Sequence, residues 1–283
     1  IGGEGPLRWG AYPMVPWAGR LREGHLRFDG TEARFPLTMP PHAIHGTTWG
    51  RPWTAVEAGP SDCTLAIELA DPWPYGGRAV HRVELGVHAL RATLEVHAGE
   101  RPMPAIVGWH PWFLRRLARG GPVEIDLRAG GMLRRGGDGL PTGEVVPVPP
   151  EPWDDAFVEV EQPVRVRWPG ALELEIASDE AACWVVFTEP PDAVCVEPQT
   201  GPPNGESSKV TSGPLNLATP LAACAESFLV SLLTLLLMTP LRLNHQNCTE
   251  SFGACDPARP GERPPPLGMR CGRKPKRWGC WRH

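Results

Sequence analysis

The chain has 283 residues, 28 Lys and Arg against 32 Asp and Glu, a formal net charge of −4 and 41% hydrophobic residues, enough for one large β domain or two smaller ones. Charge is divided unevenly: residues 1–206 hold 18 basic and 28 acidic side chains, a net of −10, whereas residues 207–283 hold 10 and 4, a net of +6. An acidic body lacks the basic footprint that displaces counterions from nucleic acid or an anionic membrane, so neither is expected as a partner. Proline (35) and glycine (32) make up nearly a quarter of the chain, and no part of residues 1–206 sustains a 3.6-residue apolar period, which excludes long helices there.

Short β-like runs take their place. His25–Phe28, Asp29-Gly30 and Ala33–Phe35 read as a hairpin whose Asp-Gly supplies the positive-φ turn residues. Cys63–Leu69 alternates outward Thr64 and Glu68 with apolar neighbours. Val80–Val96 reads as two strands, with Val83, Leu85 and Val87 on one face of the first and Leu90, Leu94 and Val96 on one face of the second. Val123–Leu127, Val164–Trp168, Leu172–Ile176, Trp184–Phe187 and Val194–Val196 continue the pattern. So many short strands predict an all-β fold, a large antiparallel β-sandwich.

The composition breaks at Gly205-Glu206-Ser207-Ser208, which places a domain boundary near residue 206. Residues 207–283 are expected to be a Leu-rich, then Pro/Arg-rich tail, partly disordered. The apolar run Phe228–Met238 is about half of the roughly 20 residues needed to cross a bilayer, so it reads as a buried or aggregation-prone segment. Cys63, Cys183 and Cys195 stand in apolar strand patterns and read as small buried hydrophobes of a reducing, cytoplasmic compartment. The five tail cysteines lack the short spacings of structural zinc. No secretory signal precedes Gly5, and the chain starts without an initiator Met, as a processed chain or a fragment would.

Three residues carry the chemistry. Glu197, in Val194-Cys195-Val196-Glu197-Pro198-Gln199-Thr200, ends an apolar strand before a Pro/Gly-rich loop. His110 lies in Gly108-Trp109-His110-Pro111-Trp112-Phe113, and His45 in Ala43-Ile44-His45-Gly46. A carboxylate and two imidazoles can hold one acid and one base against a polar substrate. Partial burial would raise Glu197 from roughly 4.3 to the strength of a useful base, with His110 as the acid. Trp109, Trp112 and Phe113 could offer a flat apolar face to a substrate, though such residues are more often simply core. His42-x-x-His45 without a third ligand is a poor metal site, and His25, His81, His88 and His97 read as structural. No nucleophile elbow or phosphate-binding Gly-rich loop is present, and a glycosidase would pair two carboxylates such as Glu197 and Asp154.

In order along residues 6–204, five stretches resemble the aldose 1-epimerase (galactose mutarotase) family: Tyr12-Pro13-Met14-Val15-Pro16 through Gly24, Ala43–Gly46, Met103-Pro104 with Gly108–Phe113, Trp153-Asp154-Asp155-Ala156-Phe157, and Val194–Pro202. The resemblance implies a galactose mutarotase-like supersandwich and interconversion of the α and β anomers of a hexose by acid/base catalysis, with a small-molecule sugar as partner and no metal or organic cofactor. It implies that Arg20 and Asp154 hydrogen-bond sugar hydroxyls, Asp155 being the alternative to Asp154 and surface pairing with Glu23 or Glu32 the alternative for Arg20. Trp112 joins them as a substrate-binding candidate, and His45 orients the ring oxygen. A non-catalytic carbohydrate-binding domain on the same fold and an inactive truncated product are the competing readings. Family members usually place several strands before the Tyr-Pro-Met-Val-Pro segment, and here eleven residues precede Tyr12; the sandwich is therefore expected to be incomplete.

Overall fold

The computed structural model describes residues 7, 10–205, 208–210 and 215–223, all of them within one compact unit. Before residue 50 come β1 (Ala11–Met14), β2 (Arg20–Leu21), the hairpin β3 (His25–Phe28) and β4 (Thr31–Arg34), and β5 (Ala43–Ile44). A meander follows: β6 (Thr54–Ala58), β7 (Asp62–Glu68), β8 (Arg78–Leu85) and β9 (Ala89–His97). The middle holds β10 (Met103–Ala105), β11 (Gly108–Leu114), β12 (Glu124–Asp126), β13 (Ala129–Arg135), β14 (Pro141–Val146) and β15 (Asp154–Val160). Last are β16 (Val164–Trp168), β17 (Leu172–Ile176), β18 (Cys183–Phe187), β19 (Ala193–Gln199), β20 (Ser208–Val210) and β21 (Leu215–Ala223). No α-helix occurs among the described residues.

The predicted all-β sandwich is what forms. One sheet has seven strands in the order β1-β11-β19-β18-β15-β13-β14, and the other has eight, β12-β16-β17-β21-β9-β8-β7-β6. A core of Phe113, Phe157, Trp184, Val186, Val194 and Val196 from the first sheet meets Val164, Val166, Trp168, Leu174 and Ile176 of the second. Side chains alternate between the faces of a strand, so each apolar residue on this inner face fixes its neighbours on the outer one. A second core gathers Leu94, Val96, Ala79 and Ile67 of the meander around Trp17, Phe35, Trp73 and Trp109.

Most expected strands appear within a residue or two. Asp29 (φ 48°) and Gly30 (φ 73°) make the positive-φ turn between β3 and β4. Leu94 and Val96 are fully buried, but Val87, assigned to a strand face, is 74% exposed in the turn between β8 and β9. Two-residue alternation cannot tell the last strand residue from the first turn residue; Gly86 was the signal.

Strand pairing does not stop near residue 206. β20 pairs with β10, and β21 lies between β17 and β9 with Leu217 opposite Leu94, so backbone pairing of the sandwich extends to Ala223. The apolar run 228–238 and the basic segment 256–283 lie outside the described residues.

Candidate active site

The outer face of the seven-stranded sheet assembles the site by register. Tyr12 of β1 stands opposite His110 of β11. Gly108 opposite Gln199 and Trp112 opposite Cys195 set His110 across from Glu197 of β19. Glu197 in turn faces Val185 of β18, and Val185 faces Ala156 of β15. The next row runs Trp112, Cys195, Phe187, Asp154. Strands about 4.8 Å apart and residues two apart on one strand thus place the chemistry of four segments on one surface. Gly108 holds the approach of β11 to β19, since a Cβ there would sit 2.7 Å from the Pro198 carbonyl and 2.9 Å from Gln199 Cγ.

Glu197 and His110 meet at the centre, Oε1 to Nε2 at 3.1 Å, both nearly inaccessible to solvent. The Gln199 amide donates to the other carboxyl oxygen, Oε2, at 3.1 Å, while its own Oε1 is buried without a protein partner. Burial pushes the Glu197 carboxyl well above its usual range, with the Asp154 carboxylate adding to the rise and Gln199 and Arg20 opposing it. Burial also pushes His110 down to about 3. The sequence placed an imidazole titrating near neutrality here; the tertiary environment instead favours the uncharged ring, because a lone imidazolium would lose its hydration. The Tyr12 ring stacks on His110, with centroids 5.0 Å apart and planes at 18°, and burial then Glu197 push its phenol upward, so it stays protonated.

His45 reaches the same point from a different loop. His45 (φ 59°) and Gly46 (φ 79°) make consecutive left-handed turns, and a Cβ on Gly46 would fall 1.9 Å from the Val15 carbonyl. The backbone N–H of Gly19 donates to His45 Nδ1 at 3.2 Å, and His45 N–H donates to the Gly19 carbonyl at 3.0 Å. Because Nδ1 accepts, the ring proton sits on Nε2. Burial, then His110 and Arg20, hold His45 well below the usual imidazole range, so it is a neutral N–H donor. Its ring stands edge-on to His110, 5.0 Å away.

Arg20 and Asp154 pair with each other, Nη2 to Oδ2 at 2.9 Å, rather than Arg20 with Glu23 or Glu32. Glu32 is taken by Arg27 and His25. Arg135 joins from β13, with its guanidinium 3.3 Å from Asp154, Asp155 and Glu189. Asp155 accepts from the Asp154 backbone N–H, and of the two it is Asp154 that meets Arg20. Of the three aromatic candidates only Trp112 shares the face of His110, 5.0 Å from it, with its indole N–H given to the Leu7 carbonyl. Trp109 and Phe113 turn into the two cores.

His42 is structural. Its Nδ1 accepts from Glu23 N–H and its Nε2 lies 2.8 Å from the Asp138 carbonyl, leaving no lone pair for a metal. Tyr12, Cys195, Gln199 and Arg135 were not singled out as site residues. Counting two either side of Glu197 finds Cys195 and Gln199; nothing local marks Arg135, whose place depends on the register of β13 against β15.

Comparison with solved structures gives the class first, a galactose mutarotase-like sandwich. An Escherichia coli K12 protein named as an aldose 1-epimerase superposes with a TM-score of 0.65 at 20% identity, covering 76% of this chain and 83% of that one. An aldose epimerase homologue from C. elegans gives 0.63 at 14% identity, covering 75% and 81%. Galactose 1-epimerase from Lactobacillus acidophilus gives 0.62 at 15% identity, covering 75% and 78%. No curated protein matches the sequence significantly. The family profile named aldose 1-epimerase matches residues 6–204, and the chain belongs to that family.

Proposed function

We propose that the protein is an aldose 1-epimerase that interconverts the α and β anomers of a free hexose by acid/base catalysis. The observation that carries this reading is the Glu197–His110 contact at 3.1 Å on a buried face shared with His45, Arg20 and Asp154. Mutarotation needs one proton taken from the anomeric hydroxyl and one given to the ring oxygen, and two facing groups of opposite type do both.

Burial of the pair leaves two forms with the same proton count: a carboxylic acid facing a neutral imidazole, or a carboxylate facing an imidazolium. In the second, Glu197 takes the O1 proton and His110 gives its Nε2 proton to the ring oxygen as the C1–O bond breaks and the aldehyde forms. The enzyme is then in the first form, the one that burial favours. Rotation about C1–C2 presents the other carbonyl face. Ring closure reverses the transfers, with Glu197 returning its proton to the carbonyl oxygen and His110 regaining one from the attacking hydroxyl.

His45, neutral with its proton on Nε2, can donate to a sugar oxygen through the whole cycle without titrating. Arg20 and Asp154 together offer donors and acceptors to hydroxyl groups. A glycosidase using Glu197 and Asp154 is less well supported, since Asp154 is engaged by both Arg20 and Arg135. Polarimetry of freshly dissolved α-glucose and α-galactose tests the reading; sugar binding without faster approach to anomeric equilibrium would make the protein a carbohydrate-binding module instead.

A further inference from the structure

The register that opposes His110 to Glu197 also sets Cys195 on their face, one row along. Its Sγ lies 3.5 Å from His110 Nδ1, and one donor atom from each of His110, Cys195 and Glu197 comes within 4.8 Å of the other two. The thiol is free and all three side chains are buried. We propose that His110, Cys195 and Glu197 form a binding site for a thiophilic divalent cation of the zinc or cadmium type, and that the ion blocks the proposed sugar chemistry rather than serving it.

The donor set decides the cation. A thiolate, an imidazole and a carboxylate suit zinc or cadmium, whereas calcium and magnesium call for oxygen donors alone. Zinc bond lengths of about 2.0–2.3 Å give tetrahedral edges of roughly 3.3–3.6 Å. Cys195 meets His110 at Nδ1 and Glu197 meets it at Nε2, so one ring nitrogen takes the ion and the side chain on the other side has to swing toward it. A fourth vertex is left for water or a sugar hydroxyl. With Cys195 and Glu197 both anionic, the cluster with a divalent ion is neutral, which reduces the cost of burying it.

Two protons leave as the ion enters: one from the Cys195 thiol, one from the Glu197–His110 pair. Burial pushes the thiol up, with Glu197 and Asp154 adding to the rise. Other groups near this point include the Tyr12 phenol, the neutral His45, the Gln199 amide, the buried Cys183 thiol, and the mutually paired Arg20 and Asp154. The bound ion would occupy a lone pair of Glu197 and fix the His110 ring, so Glu197 could not take the proton from the sugar.

The test uses the full chain, freed of metal with a chelator and titrated with Co²⁺ and then Zn²⁺. The expected result is a near-ultraviolet thiolate-to-cobalt charge-transfer band, displaced by Zn²⁺, that is absent in Cys195→Ser, with zinc affinity at least about tenfold weaker in that variant and in Glu197→Gln. Two binding variants guard against misfolding of either, which circular dichroism would reveal. A cobalt band that persists in folded Cys195→Ser comes from another cysteine and overturns the proposal, as does zinc affinity unchanged in both variants. Inhibition rests on the mutarotase reading; the band does not. A Cys195-dependent band in a protein that never equilibrates anomers keeps the site and refutes the activity, whereas an active protein unaffected by saturating zinc refutes the blocking role.

Discussion

Glu197→Gln is the sharpest perturbation available, because the replacement keeps every contact of the side chain and removes only its basicity. The amide can place its carbonyl oxygen against the Gln199 donor and its NH₂ against His110 Nε2, the two groups that the carboxyl meets at 3.1 Å. With those bonds remade and no change in volume, the fold should lose little, and a carboxyl that burial already favours in its neutral form leaves no charge to compensate. Loss of a positioned general base typically costs 10²–10⁴ in rate, or about 3–5 kcal/mol of barrier at 1.36 kcal/mol per decade. The assay is coupled oxidation of β-glucose, or polarimetry, after dissolving the α anomer, alongside sugar affinity by calorimetry. A variant that binds sugar as the parent does and equilibrates it 10²–10⁴ times more slowly is the expected outcome. Equal rates in variant and parent would remove Glu197 from the mechanism.

Gln199→Leu should move the alkaline limb of kcat/KM upward. The Gln199 donor stabilises the Glu197 carboxylate, so without it the pair keeps its shared proton to higher pH; an unmoved limb means the amide does not act on that carboxyl. Arg20→Ala should raise KM about ten- to a hundredfold with a smaller change in kcat, since it removes charge-assisted hydrogen bonds and frees Asp154; an unchanged KM would take Arg20 out of sugar binding. Away from the site, His81 accepts the Trp109 indole N–H on Nε2 at 3.2 Å, and burial pushes its pKa down to about 4. A folded-state pKa below the unfolded value of about 6.5 gives stability that is present above 6.5 and lost as pH falls through 4, roughly 3 kcal/mol in all. Urea unfolding at pH 7 and pH 4 should therefore show His81→Gln losing about that much less than the parent, and identical losses would locate the acid sensitivity elsewhere.

Much of this site was legible because its segments are short and strongly patterned. Alternation of Val194, Val196 and Glu197 fixes both a strand and the face on which the carboxylate stands, and the same rule applied to β11 separates His110 and Trp112 from Trp109 and Phe113. Consecutive left-handed residues at His45-Gly46 were marked by the glycine. Pairing of Arg20 with Asp154 instead of a nearby glutamate was not legible, since sequence proximity favours Glu23 and only the juxtaposition of β2 with β15 brings the aspartate within 2.9 Å. Nor was the role of Leu215–Ala223, whose strand is held by backbone pairing with β17 and β9 rather than by a β-rich composition.

The sequence by itself determined many of the strands, the faces of most of those, and the residue types available for acid/base work, because side-chain alternation and turn chemistry are local properties of a β chain. The tertiary structure alone decided which of those residues meet and in what protonation state. His110 and Glu197 come from segments far apart in the chain, and the β11–β19 register sets them 3.1 Å apart. Burial between neighbouring strands then drives the carboxyl up and the imidazole down. Both effects depend on what lies across a sheet, and a two-residue pattern along one strand carries no information about its neighbour.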